Sequence, residues 1–184
     1  MDGHTTATKK FNTEFQKVIY NQPNLNIMNI ITGDLLALAK SGEFDAILHG
    51  CNCHNTMSAG IAKQIKTQYP EAYAADCQTI AGDINKLGNF TKAITKDGFM
   101  IFNCYTQFGF NKGGTEFKDV FEYDSFALIL KKLAYQYGTK KFGLPAIGMG
   151  LAGGDKNTIM EMIEQFDDVV AEMGGSVTFV VFPS

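Results

Sequence analysis

The sequence predicts a three-layer α/β fold, in which helices pack on both faces of a mixed β-sheet. Short apolar segments alternate with amphipathic segments of helical period along most of the chain, which is the order of elements in α/β proteins. Two further strand-like segments are separated only by Lys96-Asp97-Gly98. This short turn indicates a hairpin, so the sheet is expected to contain both parallel and antiparallel strands.

Length and composition are those of a single globular domain. The chain has 184 residues, of which 45% are hydrophobic and 19% charged, enough for a sizeable core. Met1–Asn26 lacks the apolar centre of a signal peptide, and no segment approaches the ~18 apolar residues of a membrane span. With four cysteines and no sign of export, we expect a cytoplasmic protein with free thiols and no membrane partner.

The amino-terminal part of the chain is the least patterned. We treat residues 1–24 as an N-terminal extension and residues 25–184 as the folded domain. Within the extension, Phe11, Phe15, Val18 and Ile19 recur at helical spacing and predict a short amphipathic helix.

The spacing of hydrophobic residues and the residues at segment boundaries predict the helices and strands of the domain. Asp34 is placed to cap the first helix, Pro70 suits the first turn of another, and Gly174-Gly175 ends the last. The predicted strands are Asn26–Thr32, Phe44–His49, Asn89–Thr95, Phe99–Tyr105, Lys141–Leu144 and Ser176–Phe182. The predicted helices are Asp34–Lys40, Ala59–Gln68, Pro70–Thr79, Tyr123–Tyr137 and Asp155–Met173, with a loop at Phe108–Glu116.

Charge excludes one class of partner and leaves another open. The net charge is −3, and the basic residues are scattered in pairs, so duplex nucleic acid is not an expected partner. A single nucleotide-sized anion held by backbone N–H groups needs no positive surface.

Residues 144–155, here called the glycine loop, read Leu-Pro-Ala-Ile-Gly-Met-Gly-Leu-Ala-Gly-Gly-Asp. A strand precedes this loop and a helix follows, so its backbone N–H groups are suited to bind an anion. Gly148, Gly150 and Gly153 also spell the dinucleotide fingerprint. That fingerprint normally lies in the first βαβ unit, whereas only about 30 residues follow it here, and no acidic residue ends the next strand. We therefore expect no nicotinamide or flavin cofactor.

A second strand–loop–helix segment occupies residues 47–62. Ser58, Ala59 and Gly60 are small, so a ligand could approach their backbone closely. Two such loops in one small domain predict a clamp on two linked phosphates.

These segments resemble the macrodomain family of ADP-ribose-binding modules, in the same order from Leu25 to Phe182. The motifs are Gly33-Asp34-Leu35, Ile47–Asn52, Ser58–Ala62 and Ile147–Leu151. Their combination is closer to the branch of ADP-ribose-1''-phosphate phosphatases and terminal ADP-ribose protein glycohydrolases, which includes phage-like chains.

The resemblance implies ADP-ribose or a derivative as ligand and assigns residues to its parts. Asp34, with Leu35, would bind the adenine amino group, Asn52 the distal ribose, and Phe182 would flank the adenine. The diphosphate would be bound by backbone N–H groups of two loops: Ala59, Gly60, Ile61 and Ala62 on one side, and Gly148, Met149, Gly150 and Leu151 on the other.

For chemistry, the resemblance implies a hydrolase that releases the terminal phosphate of ADP-ribose-1''-phosphate, with His54 and Asp155 as catalytic candidates. The glycohydrolase branch uses a lysine and an aspartate where this chain has Gln107 and Ala152, which argues against a lysyl intermediate. The alternatives are a non-catalytic reader of ADP-ribose or ADP-ribosylated proteins, and an ADP-ribosyl or acyl ester hydrolase.

Metal chemistry is not expected. Cys51-x-Cys53-His54 supplies one potential ligand pair, whereas structural zinc usually needs four ligands. Asp155 and His54 also have simpler interpretations, as a helix cap and as a solvated loop residue.

Overall fold

A computed structural model describes residues 28–111 and 119–184. Six strands form one sheet in the order β1-β6-β5-β2-β4-β3. The strands are β1 Asn29–Thr32, β2 Ala46–Asn52, β3 Phe90–Ile94, β4 Met100–Gln107, β5 Lys141–Leu144 and β6 Ser176–Val181. All neighbouring pairs are parallel except β3 and β4, which are antiparallel. The expected hairpin and mixed sheet are therefore confirmed.

Five α-helices connect these strands in the described residues. They are α1 Leu35–Lys40, α2 Gly60–Gln68, α3 Pro70–Cys77, α4 Tyr123–Tyr137 and α5 Lys156–Glu172, with a short 3-10 helix at Ile84–Lys86. The predicted helix and strand order is confirmed, and α4 and β5 have the predicted bounds. The 3-10 helix was not predicted. The predicted amino-terminal helix and parts of the predicted first strand and long loop lie outside the described residues.

The helices form two layers, one on each face of the sheet. On one face α4 and α5 pack against residues that include Phe102, Phe142 and Phe179. On the other face α1, α2 and α3 pack against Ile47 and Ile101. Residues 47 and 48 thus contact opposite layers, as alternate residues of a fully buried strand must. The three-layer α/β prediction is confirmed.

The strand β2 continues three residues beyond its predicted end at His49. Gly50 interrupts the apolar pattern, but the sheet accepts it because a Cβ at this position would lie 3.0 Å from Thr106 Oγ1 and 3.2 Å from Ile147 Cγ2. Neighbouring side chains therefore fill the space that a side chain would need. The extension carries Asn52 to the carboxyl edge of the sheet, where ligands bind in open α/β folds.

Candidate functional site

Two adjoining cavities lie at the carboxyl edge of the parallel strands. The first, of about 370 Å³, is bordered by the ends of β2 and β4, the start of α2 and the glycine loop. The second, of about 440 Å³, is bordered by the start of α1 and the end of β6. Gly60, Ile61, Pro145 and Ala146 border both cavities. Together they form one elongated cleft of a size usual for small-molecule sites.

The start of α2 presents backbone hydrogen-bond donors to this cleft. Its N-cap is Ala59, whose side chain cannot cap the helix, and Gly60, Ile61 and Ala62 form the first turn. The first N–H groups of a helix have no partner within the helix and carry its positive dipole end. Because all four of these residues line the first cavity, the arrangement is suited to bind an anion.

The glycine loop faces this helix start across the first cavity. Gly148, Gly150 and Leu151 line the cavity, as do Ile147 and Ala152. Met149 does not: its side chain packs on the core, and its N–H donates to the carbonyl of Ala146 at 3.2 Å. Its amide is therefore used inside the loop, which differs from the expected role of Met149 as a contact.

Two other helix starts on this edge, those of α1 and α5, are closed by side chains. Asp34 Oδ1 accepts hydrogen bonds from the N–H groups of Leu36 and Ala37, at 2.9 and 3.0 Å. Asp155 Oδ1 accepts from the N–H of Thr158 at 2.8 Å and from its hydroxyl at 2.8 Å, and these bonds lower the pKa of the Asp155 carboxyl. Both aspartates are thus N-caps, as their sequence positions predict.

The two caps differ in what else they can contact. Asp34 borders the second cavity together with Leu35 and Phe182, whose side chain is 66% exposed. A carboxylate accepts several hydrogen bonds, so Asp34 can cap α1 and still accept one from a ligand. Asp155 borders neither of the two cavities.

Asn52 ends β2 and His54 lies in the turn that follows, but only Asn52 borders the first cavity. Asn52 lines the first cavity; its amide donates to Thr56 Oγ1 at 2.7 Å and its oxygen accepts from the His54 N–H at 2.8 Å. The His54 ring packs edge-on against Phe108, with centroids 4.9 Å apart, and does not border the first cavity. The structure therefore does not bring His54 and Asp155 together at the cleft.

The glycohydrolase branch uses a lysine and an aspartate at two positions, which are Gln107 and Ala152 in this chain. Both positions border the first cavity. The Gln107 amide donates to the Gly109 carbonyl at 2.8 Å. The side chain at residue 107 carries an amide instead of the amine of a lysine, so it cannot form a Schiff base with a substrate.

Asp76 is a lining residue that the sequence analysis missed. Its side chain comes from α3, is only 1% exposed and borders the first cavity. Among the described residues that line this cavity it is the one charged side chain. Asp76 lies in the middle of a predicted helix, without a glycine, cap or motif beside it, so no local pattern singled it out.

Burial disfavours the thiolate form of the two cysteines near the cleft. Cys51 and Cys53 are buried and free, and burial is the main cause that raises the pKa of both. Thiolates are the reactive and metal-binding form, so this environment disfavours a nucleophilic or ligand role. Within residues 28–111 and 119–184 no three potential metal ligands are grouped, and no helix is long and apolar enough to cross a bilayer.

Comparison with known proteins identifies relatives of this fold. No family model matches the chain. An uncharacterized 17.5 kDa protein of Enterobacteria phage T4 is 32% identical over 149 residues, which are 76% of this chain and 90% of the phage protein. The macrodomain of Mycobacterium tuberculosis DarG has 22% identity and a TM-score of 0.59 over 85% of this chain and 99% of that one.

A second similar structure contains a ligand. The Trypanosoma brucei macrodomain in complex with ADP-ribose has 11% identity and a TM-score of 0.59, and the match covers 83% of this chain and 62% of that one. The chain therefore belongs to the same family as the phage T4 protein, and its fold is that of the macrodomains.

Proposed function

We propose that this protein binds ADP-ribose through residues 25–184. The observation that carries the proposal is the uncapped start of α2, which faces the glycine loop across one cavity. Two sets of backbone N–H groups on opposite sides of a cleft suit a ligand with two linked phosphates. Ala59–Ala62 would bind one side of the diphosphate, and Gly148, Gly150 and Leu151 the other.

The two ends of the cleft suit the two ends of such a ligand. In the second cavity Asp34 would accept a hydrogen bond from the adenine amino group, while Leu35 and the exposed ring of Phe182 offer apolar contact. In the first cavity Asn52 and Gln107 offer amides, which both donate to and accept from ribose hydroxyls. The ADP-ribose complex of the similar Trypanosoma brucei macrodomain supports this choice of ligand.

Isothermal titration calorimetry tests the binding proposal. ADP-ribose should bind with one site per chain, and ADP should bind more weakly because it lacks the distal ribose. Absence of binding to both nucleotides would refute the proposal. ADP-ribosylated proteins are the corresponding macromolecular ligands, because they present the same nucleotide at the end of a side chain.

Hydrolysis is a second candidate function, specifically release of the terminal phosphate of ADP-ribose-1''-phosphate. Its support is the position of His54, whose ring lies 6.2 Å from that of the cavity-lining Phe110. Because His54 does not border the first cavity, this role requires a change in its side-chain conformation. Asp155 would contribute to hydrolysis only indirectly, as the N-cap of α5 directly after the glycine loop.

Phosphate release from ADP-ribose-1''-phosphate separates an enzyme from a reader. Turnover by the wild-type protein that is lost in His54→Ala, with ADP-ribose affinity retained, would support catalysis by His54. Tight binding without phosphate release would favour a non-catalytic reader. Release of ADP-ribose from esterified or ADP-ribosylated substrates would favour the third alternative.

A further inference from the structure

A buried lysine lies beneath the turn that follows β2. Lys86, from the 3-10 helix, is only 6% exposed and its Nζ is 3.4 Å from Asp76 Oδ1. The same ammonium lies 4.3 Å from the centroid of the Tyr105 ring, within the range of a cation–π contact. A charged lysine is rarely buried to this degree without a partner.

The Lys86 ammonium is hydrogen-bonded to the turn formed by residues 53 to 57, here called the 53–57 turn. It donates hydrogen bonds to the main-chain oxygen of Cys53, at 3.3 Å, and to the side-chain oxygen of Asn55. Asn55 and Met57 have φ values of 57° and 39°, a region that residues other than glycine seldom occupy. The Asn55 side chain is held on two sides, by Lys86 and by Thr79, whose carbonyl accepts from the Asn55 amide at 3.0 Å.

The 53–57 turn is hydrogen-bonded to a cavity-lining amide. Asn52 precedes it, and both ends of the Asn52 amide are bonded to the turn, through Thr56 Oγ1 and the His54 N–H. Met57, at the other end of the turn, leads directly into the residues at the start of α2. A change in the turn would therefore move Asn52 at the distal end of the first cavity.

Asp76 forms the ion pair with this lysine and is itself part of a hydrogen-bond network. Its Oδ1 accepts a hydrogen bond from the Tyr105 hydroxyl at 2.7 Å. The network continues through Thr91 and Asn103 to His49 inside the sheet. A buried ion pair is weak evidence for stability, because removing both charges from water costs about as much as their attraction returns. Its position beside the cleft suggests another role.

We propose that Lys86 and Asp76 are positioning residues that determine the preference of the cleft for a ligand with a distal ribose. The inference rests on the proposed function, since the ligand class is that of ADP-ribose. Lys86 acts through the 53–57 turn on Asn52, and Asp76 holds Lys86 in place from the floor of the first cavity.

The test compares ADP-ribose with ADP, which shares the adenine and the diphosphate but lacks the distal ribose. Dissociation constants of both are measured by calorimetry for the wild type, Lys86→Met and the double variant Lys86→Met/Asp76→Asn. The double variant leaves no uncompensated charge in the core. Lys92→Met is the matched control, because Lys92 is exposed on β3 and contacts Tyr137 instead. Thermal unfolding is recorded for each protein.

In both Lys86 variants the affinity for ADP-ribose should fall about 10-fold, whereas the affinity for ADP should change less than about 2-fold. If Lys86→Met does not fold, the affinities of the Lys86→Met/Asp76→Asn variant decide whether the inference holds. Restored ADP-ribose preference in the double variant, or equal losses for both nucleotides, would show a purely structural ion pair and overturn the inference. A wild-type protein that binds ADP but not ADP-ribose would overturn the proposed function as well.

Discussion

The ring of Phe121 lies against Gly148 so closely that a Cβ at residue 148 would be 2.4 Å from its Cδ2 atom. Gly148 also has a φ of 75°, which L side chains rarely adopt. The residue therefore has both a steric and a conformational reason to be glycine, and it lines the first cavity. The steric reason, contact with Phe121, could not be assigned from the Gly-x-Gly pattern alone.

Gly148→Ala should lower the free energy of unfolding by about 2–4 kcal/mol, because the new methyl group clashes with Phe121 and the backbone is strained. Gly150→Ala is the matched control: a Cβ there meets no atom within 4 Å, so stability should change by less than about 0.5 kcal/mol. Urea denaturation measures both variants. Equal stabilities would contradict the packing of Phe121 against the loop.

Ala59→Asp should separate stability from ligand binding at the start of α2. An aspartate at the N-cap would accept hydrogen bonds from the first turn and stabilise the helix by about 1 kcal/mol. The same carboxylate would occupy the donors proposed for the diphosphate and repel it, so ADP-ribose affinity should fall at least about 10-fold. Thermal unfolding and calorimetry measure the two effects. A more stable variant with unchanged affinity would place the diphosphate elsewhere.

Asp34→Asn tests the adenine contact without removing the helix cap. Asparagine caps helices as well as aspartate does, but its amide group offers a donor where the adenine amino group needs an acceptor. ADP-ribose affinity should therefore fall about 10-fold at little cost in stability. Asp34→Ala should lose the same affinity and, in addition, about 1 kcal/mol of unfolding free energy. An unchanged affinity in both variants would refute the contact.

His49 should make stability depend on pH. It is buried in β2 against Asn103, and burial lowers its pKa to about 4, partly offset by the Asn103 hydrogen bond and the charge of Asp76. The folded protein thus keeps His49 neutral, while the unfolded chain binds a proton below about pH 6.5. The stabilisation is complete above pH 6.5 and is lost as pH falls towards 4, by up to about 3 kcal/mol.

His49→Gln removes this titration and serves as the comparison. Urea denaturation at several pH values between 7.5 and 4.5 should show a steeper loss of unfolding free energy in the wild type than in the variant. Carboxylates that titrate over the same range contribute equally to both proteins, so the difference isolates His49. Parallel pH profiles would contradict the assignment.

Much of the architecture could be predicted because its signals are local. The spacing of hydrophobic residues over a few positions predicts the bounds of α4 and β5. Residue type alone predicts the N-caps Asp34 and Asp155. The end of β2 was predicted too early, because Gly50 breaks a local strand pattern and is accommodated only by Thr106 and Ile147 from other elements.

The sequence by itself determined the alternation of strands and helices and the two small-residue loops that border the cleft. Only the tertiary structure decided which side chains reach that cleft. It turns His54 against Phe108 and brings Asp76 and Lys86, ten residues apart on different elements, beneath the 53–57 turn. The physical reason is that backbone conformation responds to local residue types, whereas the direction of a side chain depends on packing between distant segments.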